Sequence, residues 1–311
     1  MSKTAFIFPG QGSQYVGMGK DIAGAFPVAR DAFDVADEVL GFDLTDICFN
    51  GPEEKLRETR YTQLAILAHS VAAWRVIDDK GASPDFVAGH SVGEYSALVA
   101  NGSLAYADAL RLVRVRAAAM YSSGVETPGA MAAIIGIPEN NLDDLLGDAG
   151  QTGIIVPANY NSPAQTVVSG EVAAVERAIE VARSHGAKRA IRLNVSGAFH
   201  SPLMKPAEQE LASAIETVSF KDAEVPVVSN VAARGVTGPA EIAELLRKQL
   251  TSPVMWYQSM KYLLDQDVTS FVEVGPGKVL CGLLKRIDPE AKCVPCSDKE
   301  SIEGFVNGVV T

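Results

Sequence analysis

The 311-residue sequence predicts an α/β protein with a mainly parallel sheet and a small inserted βαββαβ unit. Three observations carry this. Short β-branched or aromatic runs alternate with longer segments of helical periodicity. A Gly-x-Ser-x-Gly motif sits between one such run and a helical pattern. About 65 residues in the middle carry a strand–helix–strand–strand–helix–strand order of their own.

Residues 6–8, 86–89, 225–228 and 270–274 read as buried strands, because each is a short apolar run bounded by turn residues. Residues 62–79 and 105–122 place apolar side chains three and four apart, the spacing of one helix face. In the middle, strand 130–135, helix 138–146 and strand 153–158 are followed by strand 165–169, helix 171–185 and strand 188–193. Pro128-Gly129 opens this unit and Ser196-Gly197 closes it. The expected division is therefore a large core of residues 1–127 and 197–311 with a ferredoxin-like small domain of residues 128–196 between its halves.

Composition narrows the function. Lys plus Arg number 27 against 38 Asp plus Glu, a formal charge of −11, which opposes a nucleic-acid binder that must neutralise phosphates. No apolar run approaches the ~18 residues that cross a bilayer, and the first residues read as a strand rather than a signal peptide. Four cysteines in a chain of this length make no disulfide scaffold, so a cytoplasmic location is expected. Cys293 and Cys296 form one isolated pair with no histidine nearby, short of the four ligands of a zinc site. Gly10-Gln11-Gly12 lacks the third glycine of a dinucleotide fingerprint, and Gly275-Pro276-Gly277-Lys278 lacks P-loop spacing and reads as a loop entering a helix.

The chemistry concentrates at Gly89-His90-Ser91-Val92-Gly93. A strand before this motif and a helix after it describe a nucleophile elbow, which presents a serine on a tight turn beside free backbone N–H groups. A serine hydroxyl needs a base. Of the four histidines, His69 lies in an apolar helix, His185 precedes Gly186 at a helix end, and His90 adjoins the serine on a turn that directs it elsewhere. His200, in a small-residue loop just after the inserted unit, remains by elimination. No acid stands in an obvious loop to complete a triad, which leaves a backbone carbonyl as the alternative third member. Arg116 falls on a helical wheel between Leu112 and Met120, whereas Arg111 and Arg114 share a solvated face. On the wheel alone, a structural ion pair is the stronger reading of Arg116.

Phe8-Pro9-Gly10-Gln11-Gly12-Ser13-Gln14, the elbow with Glu94, Gly197-Ala198-Phe199-His200-Ser201, Gln249-Leu250 before Pro253, and Glu273-Val274-Gly275-Pro276-Gly277-Lys278 occur in this order over nearly the whole chain. Together they resemble the malonyl-CoA:acyl-carrier-protein transacylase family. The resemblance implies a hydrolase-like α/β core with a ferredoxin-like insert, and malonyl transfer from coenzyme A to acyl carrier protein by a ping-pong route. It implies Ser91 as nucleophile, His200 as its base, and the carbonyl of Gln249 as the group that orients the imidazole. It further implies backbone N–H groups of Gln11 and Val92 as an oxyanion hole, Arg116 as the malonyl carboxylate anchor, Phe199 as a guard against an α-methyl group, and Asn161 as a substrate contact. Neither a cofactor nor a metal is implied. A monomer is expected, since no long exposed apolar pattern stands out. Docking an acidic carrier protein on a chain of this charge calls for a local basic patch, for which Lys188, Arg189 and Arg192, or Lys285 with Arg286, are candidates. A serine hydrolase, an acyltransferase serving a polyketide assembly line, and a non-catalytic scaffold are the alternatives.

Overall fold

Alternation along the first strand, β1 (Lys3–Phe8), divides the larger core in two. Phe6 and Phe8 pack on one face of the sheet and Ala5 and Ile7 on the other. A strand buried on both faces belongs inside a parallel sheet covered by helices, and its composition is correspondingly apolar throughout. The computed structural model, which describes residues 3–195 and 197–309, bears this out. Ser196, one half of the turn expected to close the insert, lies outside the described residues.

The described residues form ten strands in chain order: β1, β2 (Phe86–Gly89), β3 (Gly129–Ile135), β4 (Ile155–Ser162), β5 (Gln165–Glu171), β6 (Arg189–Arg192), β7 (Val227–Val228), β8 (Gly235–Val236), β9 (Val268–Val274) and β10 (Lys292–Cys296). Six build one sheet in the order β10-β9-β1-β2-β7-β8, parallel except for the last pair. Helices Pro27–Leu40, Thr59–Asp79 and Tyr106–Glu126 supply the core on the Phe6 and Phe8 side. Helices Trp256–Asp265 and Val279–Ile287 cover the other face through Trp256, Met260, Leu263, Leu280 and Leu284.

The remaining four strands form an antiparallel sheet in the order β4-β5-β3-β6, the arrangement of a ferredoxin-like unit. Along β3, Ala130, Ala132 and Ile134 face helices Glu139–Ala149 and Val172–Val181, while Met131 and Ala133 join the larger core. This two-residue period ties the small sheet to the large one across its inner face.

Several elements differ from the sequence expectation for identifiable reasons. The strand expected at 225–228 pairs only over Val227–Val228; Pro226 has no N–H, although its carbonyl still accepts from Val87 N at 3.0 Å. The helix expected over 171–185 ends at Val181, and the chain turns through Gly186 at φ +89°. The strand expected at 153–158 begins at Ile155 and runs on to Ser162, with two register shifts against β5. β10 has no strand signal in the sequence because Pro295 interrupts it, which an edge strand such as this tolerates. Cys293 of β10 forms a disulfide with Cys281, not a pair with Cys296, which is free and buried. Among the described residues, no helix is long and apolar enough to cross a membrane.

Candidate active site

The site gathers at the carboxyl ends of β1 and β2, where open parallel sheets present their loops to ligands. β2 stops at Gly89, Ser91 takes φ +53°, and helix Gly93–Ala100 begins two residues later. The left-handed backbone at a serine is costly and persists only where surrounding contacts impose it. Here both flanking glycines are sterically required. A Cβ on Gly89 would lie 2.0 Å from the Gly93 carbonyl, and one on Gly93 would lie 2.2 Å from the Phe8 carbonyl oxygen. Gly93→Ala should therefore cost about 3–5 kcal/mol, read as a lower midpoint in denaturant unfolding. A loss under about 1 kcal/mol would show that the elbow can relax. Asn230 holds the turn from below: its Oδ1 accepts from Ser91 N at 2.7 Å and its Nδ2 donates to the Gly89 carbonyl at 2.6 Å.

His200 also stands in the left-handed region, at φ +58°, and is buried. Its Nδ1 faces two acceptors, the carbonyls of Gln249 at 2.9 Å and Ser252 at 3.2 Å. Carbonyls cannot donate, so Nδ1 carries the ring proton and Nε2 is left with a lone pair. Ser91 Oγ–H donates to that nitrogen at 2.8 Å. Burial, reinforced by the Arg116 cation, pushes the His200 pKa down to about 3, against the opposing pull of the two carbonyls. The imidazole is thus neutral at physiological pH and ready to accept a proton. The other histidines do different work. His90 Nε2–H donates to Asn161 Oδ1 at 2.9 Å, His185 meets Asp148 at 3.4 Å, and His69 lies wholly inside the core.

Arg116 is 1% exposed, yet forms no ion pair among the described residues. Its acceptors are neutral: Gln63 Oε1 on Nη1, and Ser91 Oγ at 2.9 Å and Gln249 Oε1 at 2.8 Å on Nη2. The structural ion pair favoured by the helical wheel is therefore not what holds it. Burial lowers its pKa, and Tyr95 and Glu94 counter that effect, the guanidinium lying over the Tyr95 ring at 5.7 Å. Arg111, by contrast, pairs with Asp108 on the exposed face, and Arg114 is exposed.

Ser91, His200 and Arg116 open on one cavity whose lining also includes Gln11, Val92 and Phe199. The backbone N–H groups of Gln11 and Val92 have no acceptor among the described residues, so both are available to a developing oxyanion. Met120, Met131, Leu193 and Val195 form the apolar part of the remaining wall, and Gln63 and His90 belong to its polar part. Asn159 lines the cavity, whereas Asn161 lies behind it and is engaged with His90 and Gln165. Of the surface cations considered for docking, Arg192 is paired with Glu176. Sequence reasoning missed Gln63, Asn159, Asn230 and the Gln249 side chain; Thr62-Gln63 inside an apolar helix was the one visible hint.

Residues 5–294 match the model of the acyl transferase domain. The chain belongs to the acyl transferase family. This acyltransferase is 47% identical over 304 residues to the malonyl CoA-acyl carrier protein transacylase of Bacillus subtilis, covering 97% of the chain and 96% of the relative. It is 45% identical over 288 residues to the enzyme of that name from Escherichia coli, covering 92% and 93%. Among solved structures, the malonyl CoA-acyl carrier protein transacylase of Coxiella burnetii superposes with a TM-score of 0.95 at 39% identity, over 98% of this chain and 97% of that one. A malonyl-transacylase bound to its type II polyketide synthase acyl-carrier protein superposes equally well, with a TM-score of 0.95 at 42% identity over 99% and 100%. The acyltransferase thus shares its mixed architecture, a mainly parallel sheet beside an antiparallel one, with these proteins.

Proposed function

We propose that the protein transfers a malonyl group from malonyl-CoA to the phosphopantetheine thiol of an acyl carrier protein, supplying fatty-acid elongation. The observation that carries this reading is Arg116, a buried cation without an anionic hydrogen-bond partner, held 2.9 Å from the nucleophile's oxygen. A planar guanidinium in that position suits a carboxylate in a bidentate pair, one short acyl chain away from Ser91.

Ser91 Oγ attacks the thioester carbonyl carbon as His200 Nε2 takes its proton, and the Gln11 and Val92 N–H groups receive the oxyanion. Collapse breaks the carbon–sulfur bond, and His200 returns the proton to the coenzyme A thiolate. The carrier protein's thiol then gives its proton to His200 and attacks the malonyl ester, and Ser91 leaves as the alcohol. The Gln249 carbonyl keeps the imidazole oriented through both halves. Phe199, 5% exposed beside the base, would crowd an α-methyl substituent.

The reading includes a small domain of residues 128–196 inserted in a core of residues 1–127 and 197–311, supported by the confinement of the antiparallel sheet to residues 129–192. It places the protein in the cytoplasm as a monomer. Intact-mass spectrometry after mixing with malonyl-CoA should show one malonyl adduct on the wild type and none on Ser91→Ala; an unmodified wild type would remove the proposal. Service to a polyketide assembly line is a second reading, favoured by the neighbour solved with a polyketide carrier protein. Comparing malonyl transfer to fatty-acid and polyketide carrier proteins separates the two.

A further inference from the structure

Beneath the elbow lies a carboxyl group that this mechanism leaves unused. Glu94, in the first turn of helix Gly93–Ala100, is 4% exposed. Its Oε2 accepts from Gln249 Nε2 at 2.6 Å, and its Oε1 from the Asn230 backbone N–H at 3.4 Å. The same Gln249 amide donates to the Ser91 carbonyl at 3.1 Å and, through Oε1, accepts from Arg116 Nη2 at 2.8 Å. An amide has one oxygen end and one nitrogen end. With a carboxyl on one side and a guanidinium on the other, only one orientation satisfies both. If the amide turned over, its NH2 would oppose Arg116 and its oxygen would oppose Glu94.

We propose that Glu94 is a positioning residue for carboxylate-bearing substrates: it fixes the Gln249 amide so that Arg116 is held beside Ser91, and it is the buried counter-charge that a substrate carboxylate replaces. This rests on the reading of Arg116 as a carboxylate anchor. The groups facing Glu94 are few. Arg116 comes from helix Tyr106–Glu126, Tyr95 from its own helix, and the neutral Gln249, Asn230 and Ser229 from the loops below. His200 and His90 lie across the cavity, and both are held neutral by burial. Arg116 and Glu94 are therefore the two groups in this cluster that carry charge near neutrality.

A substrate carboxylate arriving at Arg116 brings a like charge to Glu94, which favours the protonated form of Glu94. Burial already pushes the Glu94 pKa up to about 7. Binding of malonyl-CoA is thus coupled to uptake of a proton. The sign follows: affinity is full below that pKa and is lost as the pH rises through it. An acyl group without a carboxylate feels no such coupling.

The test uses Glu94→Gln and Glu94→Ala in the full chain, with kcat and KM for malonyl-CoA and acetyl-CoA followed from about pH 6 to about pH 9. Glu94→Gln keeps an oxygen for the Gln249 amide and removes the charge. It should retain malonyl turnover within about threefold at pH 6.5 and lose the rise in KM above pH 7 that the wild type shows for malonyl-CoA only. Glu94→Ala frees the amide and should raise KM for malonyl-CoA about tenfold or more, with acetyl-CoA changed less than about threefold. A wild-type KM that does not rise with pH, or one that rises equally in Glu94→Gln, overturns the proposal. Equal losses for both substrates in Glu94→Ala overturn it too. Should Glu94→Ala fail to fold, the pH profiles of the wild type and Glu94→Gln decide alone. Failure of the underlying reading looks different: the wild type would form no malonyl adduct, or Arg116→Ala would keep its preference for malonyl.

Discussion

His200→Ala should lower the rate of Ser91 acylation by malonyl-CoA about a thousandfold or more while leaving the thermal midpoint near that of the wild type. The size follows from what the imidazole alone supplies. Among the described residues, Nε2 is the one base within hydrogen-bonding reach of Ser91 Oγ, at 2.8 Å, and the two carbonyls on Nδ1 fix its tautomer. Arg116 also touches Oγ, but a guanidinium donates and cannot take the proton. The pH profile supplies a second readout. Because the folded environment holds His200 down to about 3, the base stays unprotonated well below the ordinary histidine range. Acylation measured as kcat/KM should therefore stay level from about pH 6 down to about pH 5. A fall centred near pH 6.5 would mean that the imidazole titrates normally and that burial does not depress it. So low a pKa describes the empty site. As the oxyanion develops and a substrate carboxylate neutralises Arg116, the charge that depresses His200 is offset and proton transfer becomes easier.

The same depression makes a statement about folding. A histidine whose folded pKa lies below its unfolded value near 6.5 favours the native state while neutral, and that stability drains away as the pH falls from about 6.5 toward the folded pKa. His69, lowered to about 4 by complete burial, acts in the same direction. Glu94 acts oppositely, since its raised pKa favours the native state below the ordinary carboxylate range and is lost as the pH rises through about 7. The acid limb of stability therefore draws on His200, His69 and His90, lowered by burial, and on the carboxyl groups of Asp148, Glu244 and Asp298, which their partners hold below the ordinary range.

What the sequence made readable were features whose cause is local. β2 was placed to the residue because a four-residue apolar run ends on a glycine, and the elbow followed because Gly89 and Gly93 must meet without side chains. The βαββαβ order was readable because each of its strands alternates with period two or is capped by turn residues. Elimination reached His200 because only four histidines exist. The supporting amides were not readable. Gln63, Asn230 and Gln249 act through partners 53, 139 and 133 residues away, and no spacing rule links such positions. Gln249 serves His200 through its main-chain carbonyl, a group every residue carries, so its identity is not required by that contact. Its side chain, joined to Arg116, Glu94 and the Ser91 carbonyl, gives a reason for glutamine there. Arg116 shows the limit of the wheel argument. Periodicity correctly buried the side chain but could not say whether an acid or two amides would meet it.

That distinction sets the second large effect. Arg116→Ala should reduce acylation by malonyl-CoA about 10²- to 10³-fold, the range expected when one partner of a desolvated charge pair is removed. Acylation by acetyl-CoA should change by less than about fivefold, because the base, the nucleophile and the oxyanion N–H groups remain in place. The acid nearest this charge, Glu94, makes no hydrogen bond to Arg116, and its pKa, already raised by burial, rises further when the cation is lost, so it takes up a proton rather than being stranded as a buried carboxylate. The acceptors observed are amide oxygens and the serine hydroxyl, and Gln249 keeps its bonds to Glu94 and the Ser91 carbonyl when the guanidinium is gone. Arg116→Lys should fall near alanine for malonyl, since an ammonium cannot reach Gln63, Gln249 and a substrate carboxylate with the guanidinium's planar fork. The measurement is a competition between malonyl-CoA and acetyl-CoA, read as the ratio of the two adducts on Ser91. A ratio that still favours malonyl in Arg116→Ala would place carboxylate recognition elsewhere in the cavity, whose wall also includes the uncharged side chains of Gln11, Gln63 and Asn159. Those amides can offer a carboxylate a hydrogen bond but no opposite charge, which is why the discrimination should rest on Arg116.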